Sequence, residues 1–500
     1  MCGVIGIVGP LDVQKEGPVT WAAYEAYRGL LTLQHRGQDA AGLLSWDPLQ
    51  RKFNQQKDLG LVADVFDKEK LEKMTGPMSI AHTRYATTGG DGKEDLQPLV
   101  TGFPFGMGMV HNGNVINDEQ LVKELTSEFH LQFLTENDLE IFLNIWCLRL
   151  GAAYQDQTKS FEFKKATSAA QEVFERVRGG YALLGLVAGH GLFAMRDPKG
   201  IRPLVLGRKE VETANSKKYA YCICSETLAL NFLGYEYIRD IAPGEFIFID
   251  TEGEINSYIM QGQRPKKQAS CMFEWVYFSG AESSIEGKSV YGARLNLGRQ
   301  LAKRLAPLIE KGELKPDVVC PVPDTSRTAS IALSEELGLP YREALIKNRY
   351  IQRSFILNSQ EAREKAVELK LSPIRSEIEG KSILLVDDSV VRGTTSKKII
   401  SLLKRFGAKD ITLAVTCPPI RYPCYYGIDF PSPTELMAGE KSIEEMADWI
   451  GANRVVFLEE SDIMEAVGLN ELCMACLNNQ YPTSIEGSES FAQRRRMKKG

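Results

Sequence analysis

Two adjacent carboxylates, Asp387 and Asp388, end the apolar run of "KSILLVDDSVVRGTTSKKII" (381–400), and the loop after them carries Ser389, Arg392, Gly393, Thr394 and Thr395. Carboxylates repel phosphate. They must instead face hydrogen-bond donors or a cation, such as the vicinal hydroxyls of a sugar or a divalent metal. The hydroxyls and backbone N–H groups from Ser389 to Thr395 suit a phosphate at the start of a helix. A ribose 5-phosphate satisfies the whole stretch at once, whereas the plainer alternative is a pair of acids capping the next helix. At the other end of the chain, Cys2 follows Met1. Removal of Met1 leaves a thiol beside a free α-amine, with a pKa of about 8, that can serve as its base. Cys473 and Cys476 form a C-x-x-C that is open to zinc, a redox pair or no role.

The elements that must hold these residues differ between the two halves. Up to about residue 250, short apolar runs such as "GVIGIVG" and "YALLGLVAGHGLFAMRD" are punctuated by glycine, which predicts a β-rich domain with a few helices. The aperiodic "QGQRPKKQAS" (261–270) predicts a linker. From about 315, apolar runs ("PDVVCPVPD", "KSILLVDD", "DITLAV") alternate with helical patterns, the signature of a parallel sheet in an α/β domain. In "TSKKIISLLKRFG", Ile399, Leu402, Leu403 and Phe406 share one face and Gly407 supplies the stop. "DDSVVRGTT" then sits at the carboxyl end of a strand, where open α/β sheets bind ligands.

Composition limits the partners. The 500 residues carry 60 basic and 65 acidic side chains, a net charge of -5, so no global field favours nucleic acid or an anionic membrane. There is no signal-type segment and no apolar run of the roughly 20 residues needed to span a bilayer. The expectation is a cytoplasmic protein. Ten cysteines in 500 residues are too dilute for a disulfide scaffold, and Cys147, Cys222, Cys224 and Cys320 read as buried core residues. The basic end "QRRRMKKG" reads as a solvated tail.

The carboxylate stretch resembles the phosphoribosyl-pyrophosphate signature of type I phosphoribosyltransferases. That resemblance implies that Asp387 and Asp388 hold the ribose hydroxyls, directly or through one Mg2+ per subunit, while Ser389, Val390, Val391, Arg392, Gly393, Thr394 and Thr395 cradle the 5-phosphate. "PVPDTSR" (321–327) resembles the family's pyrophosphate loop, with Ser326 as a further Mg2+ contact. "KNRYIQRSF" (347–355) resembles its closing loop, with Lys347, Arg349 and Arg353 available for pyrophosphate charge. In the N-terminal half, "LQHRGQDAAG" (33–42), "HTRYATTG" (82–89), "HNGNVIN" (111–117) and "TENDLE" (135–140) resemble the motifs of class II glutamine amidotransferases. By that likeness Cys2 attacks the glutamine side-chain amide, Arg84 binds the α-carboxylate and Asp138 the α-ammonium. Asn112 and the Gly113 N–H form an oxyanion hole, each donor worth around 3 kcal/mol.

The two motif sets in one chain resemble the glutamine phosphoribosylpyrophosphate amidotransferase family. The implied fold is an α+β N-terminal-nucleophile glutaminase domain of four αββα layers (2–260), then an α/β type I phosphoribosyltransferase domain with a central parallel sheet and a cluster-binding segment (261–480), then a disordered basic tail (481–500). The implied reaction hydrolyses glutamine at Cys2 and passes ammonia through the interior to displace pyrophosphate from C1 of the ribose, giving 5-phosphoribosylamine for purine synthesis. Some members hold one [4Fe–4S] cluster per subunit, and the matching positions here are Cys271, Cys424, Cys473 and Cys476. Purine nucleotides as inhibitors and a homotetramer or dimer are further implications. "SGAESS" (279–284) departs from the family's usual Ala-Arg-Pro-Asp-Ser, which puts a ligand or interface role of that stretch in doubt.

Overall fold

The computed structural model describes residues 2–10, 20–85, 92–154, 161–213, 217–260, 268–348, 371–430 and 433–488. Arg349 and Arg353 lie outside them.

The strand Gly3–Val8 is buried at every position, and the two faces of its pleat meet different partners. Val4 and Val8 point, with Leu44 and Ile80, at Val110, Leu184, Leu192 and Ile247 of a second sheet. Ile5 and Ile7 pack under the helix Trp21–Thr32 through Ala22, Ala26 and Leu30. A strand covered on both sides reads as a continuous apolar run, which is why "GVIGIV" shows no polar alternation. Its sheet has seven strands in the order Glu236–Asp240, Val205–Glu212, Lys217–Cys224, Gly3–Val8, Met78–Arg84, Ala40–Asp47, Lys52–Leu59. The facing sheet has six: Ile255–Ile259, Glu245–Asp250, Gly191–Arg196, Gly179–Val187, Met107–Val115, Leu99–Thr101. On its outer face Met107 and Met109 meet Phe142, Trp146, Ala166 and Val173 of the helices Leu139–Ala153 and Phe163–Arg176. Helix, sheet, sheet and helix make the four αββα layers that the family resemblance implied.

The C-terminal half contains a parallel sheet in the order Val318–Pro321, Ser382–Asp387, Asp410–Val415, Arg454–Phe457. The last strand was not read from the sequence, because its four residues carry too short an apolar pattern. The helix Thr394–Arg405 buries Ile399, Ile400, Leu402 and Leu403, and Gly407 leaves it at φ 90°. Among the described residues no helix is long and apolar enough to cross a membrane.

The expected tail from residue 481 needs correcting at its start. Residues 481–488 pack back on the protein: Tyr481 Oη donates to the Pro423 carbonyl at 2.8 Å, and Arg178 pairs with Glu486 at 3.3 Å. Residues 489–500 lie outside the described residues.

Candidate active sites of the two domains

The pairing Gly3↔Thr83 places Cys2 at the end of its sheet, one step beyond the last registered pair and beside Arg84, which is buried. The Cys2 backbone nitrogen donates to Asn112 Oδ1 at 3.0 Å. That bond orients the amide so that its Nδ2, buried and without a hydrogen-bond partner, is a donor left for a ligand. A buried orphan donor is costly unless something fills it in the working state. Gly113 follows on the same strand, paired with Tyr181.

Asp138 lies behind this strand, accepting from the Val115 N–H at 3.0 Å and meeting His111 Nε2 at 3.2 Å. The Gln97 amide donates to His111 Nδ1 at 2.9 Å, which assigns the ring proton to Nε2, facing the carboxylate. Burial resists ionisation of Asp138, but His111 and the Val115 N–H outweigh it and hold the carboxyl below its ordinary range.

Arg36 escaped the sequence reading, although it sits inside "LQHRGQDAAG". Its Nε donates to the Cys2 carbonyl at 3.1 Å, and its terminal nitrogens bond Glu226 and Glu274, the latter at 3.0 and 3.1 Å. All three side chains are sealed from solvent. Arg202, equally buried, approaches Glu274 from the other side at 3.4 Å. "SGAESS" completes the cluster: the Gly280 N–H and Ser283 Oγ donate to Glu226 Oε2 at 2.8 and 2.7 Å, and Ser279 Oγ donates to Glu274 at 2.8 Å. The departing residues are therefore small donors that satisfy a buried acid pair. Burial alone would raise the Glu226 carboxyl, yet Arg36 and His35 hold it down to about 2. The stabilisation this implies is complete above the ordinary carboxylate pKa and is lost as pH falls toward about 2. Glu226→Ala leaves Arg36 short of a partner in a dry site and should destabilise the fold by about 3–5 kcal/mol. Urea unfolding at pH 7 checks this, and a loss below about 1 kcal/mol would contradict it.

In the C-terminal half, Asp387 is the last residue of its strand, and both acids are 8% exposed. Asp388 accepts from Ser389 Oγ at 2.6 Å and from Thr325 Oγ1. Neither acid caps the following helix, which begins after Gly393 and has no side-chain cap. Its first N–H groups are therefore left to an anion. Gly393 has φ 71°, and a Cβ there would meet Met437 Sδ at 2.3 Å. Val390 is buried in the core, the Val391 carbonyl accepts from the Met437 N–H, and both line the cavity that spans the two halves. Arg392 pairs with Glu435 at 2.9 Å. Lys347 pairs at 2.9 Å with Asp324 of the 321–327 loop, which puts it beside the expected pyrophosphate loop. Ser326 does not join the carboxylates: its hydroxyl donates to the Val322 carbonyl, because it begins the helix Arg327–Leu337, and the neighbouring Thr325 takes its place at Asp388.

One cavity of about 420 Å3 spans the two halves. Its floor is Asp387 to Ser396; its other walls include Tyr277, Phe278, Ile428 and Phe430, and it reaches His35, Arg36 and Tyr85. Tyr85 places its carbonyl 4.0 Å from Cys2 Sγ and Arg36 bonds the Cys2 carbonyl, so the cavity ends on two residues that contact Cys2.

Cys271 and Cys473 are paired in register on two short parallel strands. The Tyr426 N–H donates to Cys424 Sγ at 3.4 Å, and the Arg421 and Tyr422 N–H groups donate to the Cys476 carbonyl. All four thiols are buried. Burial, then the neighbouring cysteines, push the Cys473 and Cys476 thiols upward, and burial offset by Arg202 leaves Cys271 at about 11. Among the described residues no three His, Cys, Asp or Glu side chains converge closely enough to hold a single metal ion.

Fold and site together define a glutamine amidotransferase joined to a phosphoribosyltransferase. The phosphoribosyl transferase domain family matches residues 291–429 and the glutamine amidotransferase domain family residues 82–219. The amidophosphoribosyltransferase of Pseudomonas aeruginosa is 41% identical over 499 residues, covering 99% of this chain and 95% of that one. That of Methanocaldococcus jannaschii is 39% identical over 97% of this chain and 98% of its own length. Among solved structures, the Bacillus subtilis glutamine phosphoribosylpyrophosphate amidotransferase complexed with ADP and GMP superposes with a TM-score of 0.81 at 35% identity, over 97% of this chain and 98% of that one. The chain belongs to the amidophosphoribosyltransferase family, enzymes of the first step of purine biosynthesis.

Proposed function

We propose that this chain runs glutamine hydrolysis and phosphoribosyl transfer at two sites joined by the shared cavity, and the cavity is the observation that carries the reading. In the glutaminase unit (2–260), the Cys2 thiolate attacks the glutamine side-chain carbonyl, its proton passing to the α-amine freed by loss of Met1. The oxyanion is met by Asn112 Nδ2 and the Gly113 N–H. Ammonia leaves with that proton, and water releases glutamate from the thioester. Arg84 holds the substrate carboxylate by a two-pronged bond and Asp138 its ammonium. Ammonia keeps its lone pair only while unprotonated, and the aromatic walls toward Asp387 suit that passage by excluding water.

In the transferase unit (261–480), Asp387 and Asp388 orient the ribose hydroxyls and the Ser389 to Thr395 loop takes the 5-phosphate. Lys347, beside the 321–327 loop, supplies charge for the pyrophosphate, and the family resemblance assigns Arg349 the same role. Ammonia displaces pyrophosphate from C1, and the extra proton is lost from the new amine. The buried acid pair fits Mg2+, which when bound neutralises pyrophosphate charge. Thr325 is the hydroxyl already at Asp388, and Ser326 would have to leave the Val322 carbonyl to join it. Four buried thiols supply the donor set that a [4Fe–4S] cluster takes, and Cys271, Cys424, Cys473 and Cys476 would hold it. Anaerobically purified protein should carry about four irons per chain; about one zinc would refute it. Free cysteines throughout suit a cytoplasmic enzyme, purine nucleotides suit its regulation, and a homotetramer or dimer its assembly.

The test is an anaerobic assay that follows glutamate and pyrophosphate together while each substrate is omitted in turn. Matched, mutually dependent release is expected. Pyrophosphate release with ammonium salts but not with glutamine would place the fault at Cys2, and no release of either would overturn the reading.

A further inference from the structure

The two oxyanion donors lie on a strand of the N-terminal half, but part of what fixes that strand from outside its own sheet comes from the C-terminal half. Gly427 has φ 103°, and a Cβ there would lie 3.2 Å from the carbonyl carbon and oxygen of Gly113 and 3.4 Å from its Cα. The two glycines thus stack backbone on backbone. On the opposite side, a Cβ on Gly113 would fall 2.0 Å from the Gly180 carbonyl oxygen, so the Gly113 peptide is held between a neighbouring strand and the turn.

A second tie lies one residue along. Asn114, 1% exposed, donates from Nδ2 to the Tyr425 carbonyl at 3.1 Å. Arg202 Nε donates to the Tyr426 carbonyl at 2.8 Å, pinning the turn from behind. Gly180 approaches the turn as well, since its Cβ would lie 3.2 Å from that of Tyr426.

We propose that the turn Cys424 to Gly427 positions the glutaminase oxyanion hole, with Gly427 and Asn114 as the positioning residues. The proposal rests on the assignment of Asn112 and Gly113 as oxyanion donors. An oxyanion donor works only when its N–H sits within hydrogen-bond distance of where charge develops, and a shift of a few tenths of an ångström forfeits part of that stabilisation. Neither positioning residue touches the reacting atoms. Their effect must therefore appear in kcat of glutamine hydrolysis, not in how tightly Arg84 and Asp138 bind the amino-acid end. Neither residue lines the cavity floored by Asp387 to Ser396, so ammonia-dependent transfer is the control.

The experiment compares Gly427→Ala, Asn114→Ala and, as reference, Asn112→Ala in the full chain. Glutaminase kcat should fall about 10- to 100-fold in the first two, short of the roughly 100- to 1,000-fold for loss of a whole donor in the third. Glutamine KM should stay within about threefold, and ammonia-dependent pyrophosphate release within about twofold. A role in packing alone would lower both activities together, and that result overturns the proposal, as does a glutaminase kcat within twofold of the parent. If Gly427→Ala does not fold, Asn114→Ala decides alone. A near-normal kcat in Asn112→Ala would instead overturn the oxyanion assignment itself.

Discussion

Replacement of Cys2 by alanine will abolish glutamine-dependent product formation, by about 10⁴-fold or more, and leave ammonia-dependent pyrophosphate release within about twofold. Removal of a nucleophile that forms a covalent intermediate removes the whole route, not one interaction within it. The surrounding groups cannot substitute. Asn112 offers a donor, and Arg36 is a charged donor sealed among carboxylates. The transferase carboxylates stand on a separate sheet that Cys2 does not support, so external ammonia at alkaline pH should restore turnover. Paired assays with glutamine and with ammonium chloride make the check. A parallel loss of both would mean that the side chain at position 2 supports the transferase half as well as the glutaminase chemistry.

The second large effect is at the acid pair. Asp388→Asn and Asp387→Asn should each reduce both glutamine- and ammonia-dependent transfer by about 100-fold or more, given hydrogen bonds to charged groups worth about 1.5–3 kcal/mol each and two hydroxyls to hold. Burial raises both carboxyls above the ordinary range, and for Asp387 the neighbouring Asp388 raises it further. A ligand that donates hydrogen bonds or brings a cation binds the ionised form. Its affinity should therefore be lost as pH falls through those raised values, and the KM for phosphoribosyl pyrophosphate should climb as pH is lowered from neutrality toward the ordinary carboxylate range. A flat KM over that range would count against the assignment. The same shift has a stability consequence of opposite use. A carboxyl whose folded pKa is raised favours folding only below that pKa and penalises it above, so Asp387→Asn should raise the melting temperature at neutral pH while destroying transfer. Such a trade is expected of a group held for function at the expense of the fold.

The chain's sequence determined the chemistry that is local. Cys2 beside the initiator methionine and the strand-acid-acid-loop-helix of "LLVDDSVVRGTT" are each contiguous and so legible by themselves, whereas the roles proposed for the amide and glycine of "HNGN" rest on family resemblance. Apolar periodicity likewise marked the helix Thr394–Arg405 and separated a β-rich half from a βα half. Tertiary structure alone decided the rest. The Cys2 bond to Asn112 joins residues 110 positions apart, and the Asn114 bond to Tyr425 spans 311. Contacts of that range leave no spacing to read. Arg36 looked like any arginine until Glu226 and Glu274 closed around it, and "SGAESS" looked like a loss until its hydroxyls and N–H groups were seen filling the same pocket of charge. Whether Thr325 or Ser326 turns toward Asp388 was a matter of rotamer, settled when Ser326 took the start of a helix. Residue type fixes what a side chain is able to do, but its partner is chosen by packing, where burial makes an unpaired polar group too costly to keep.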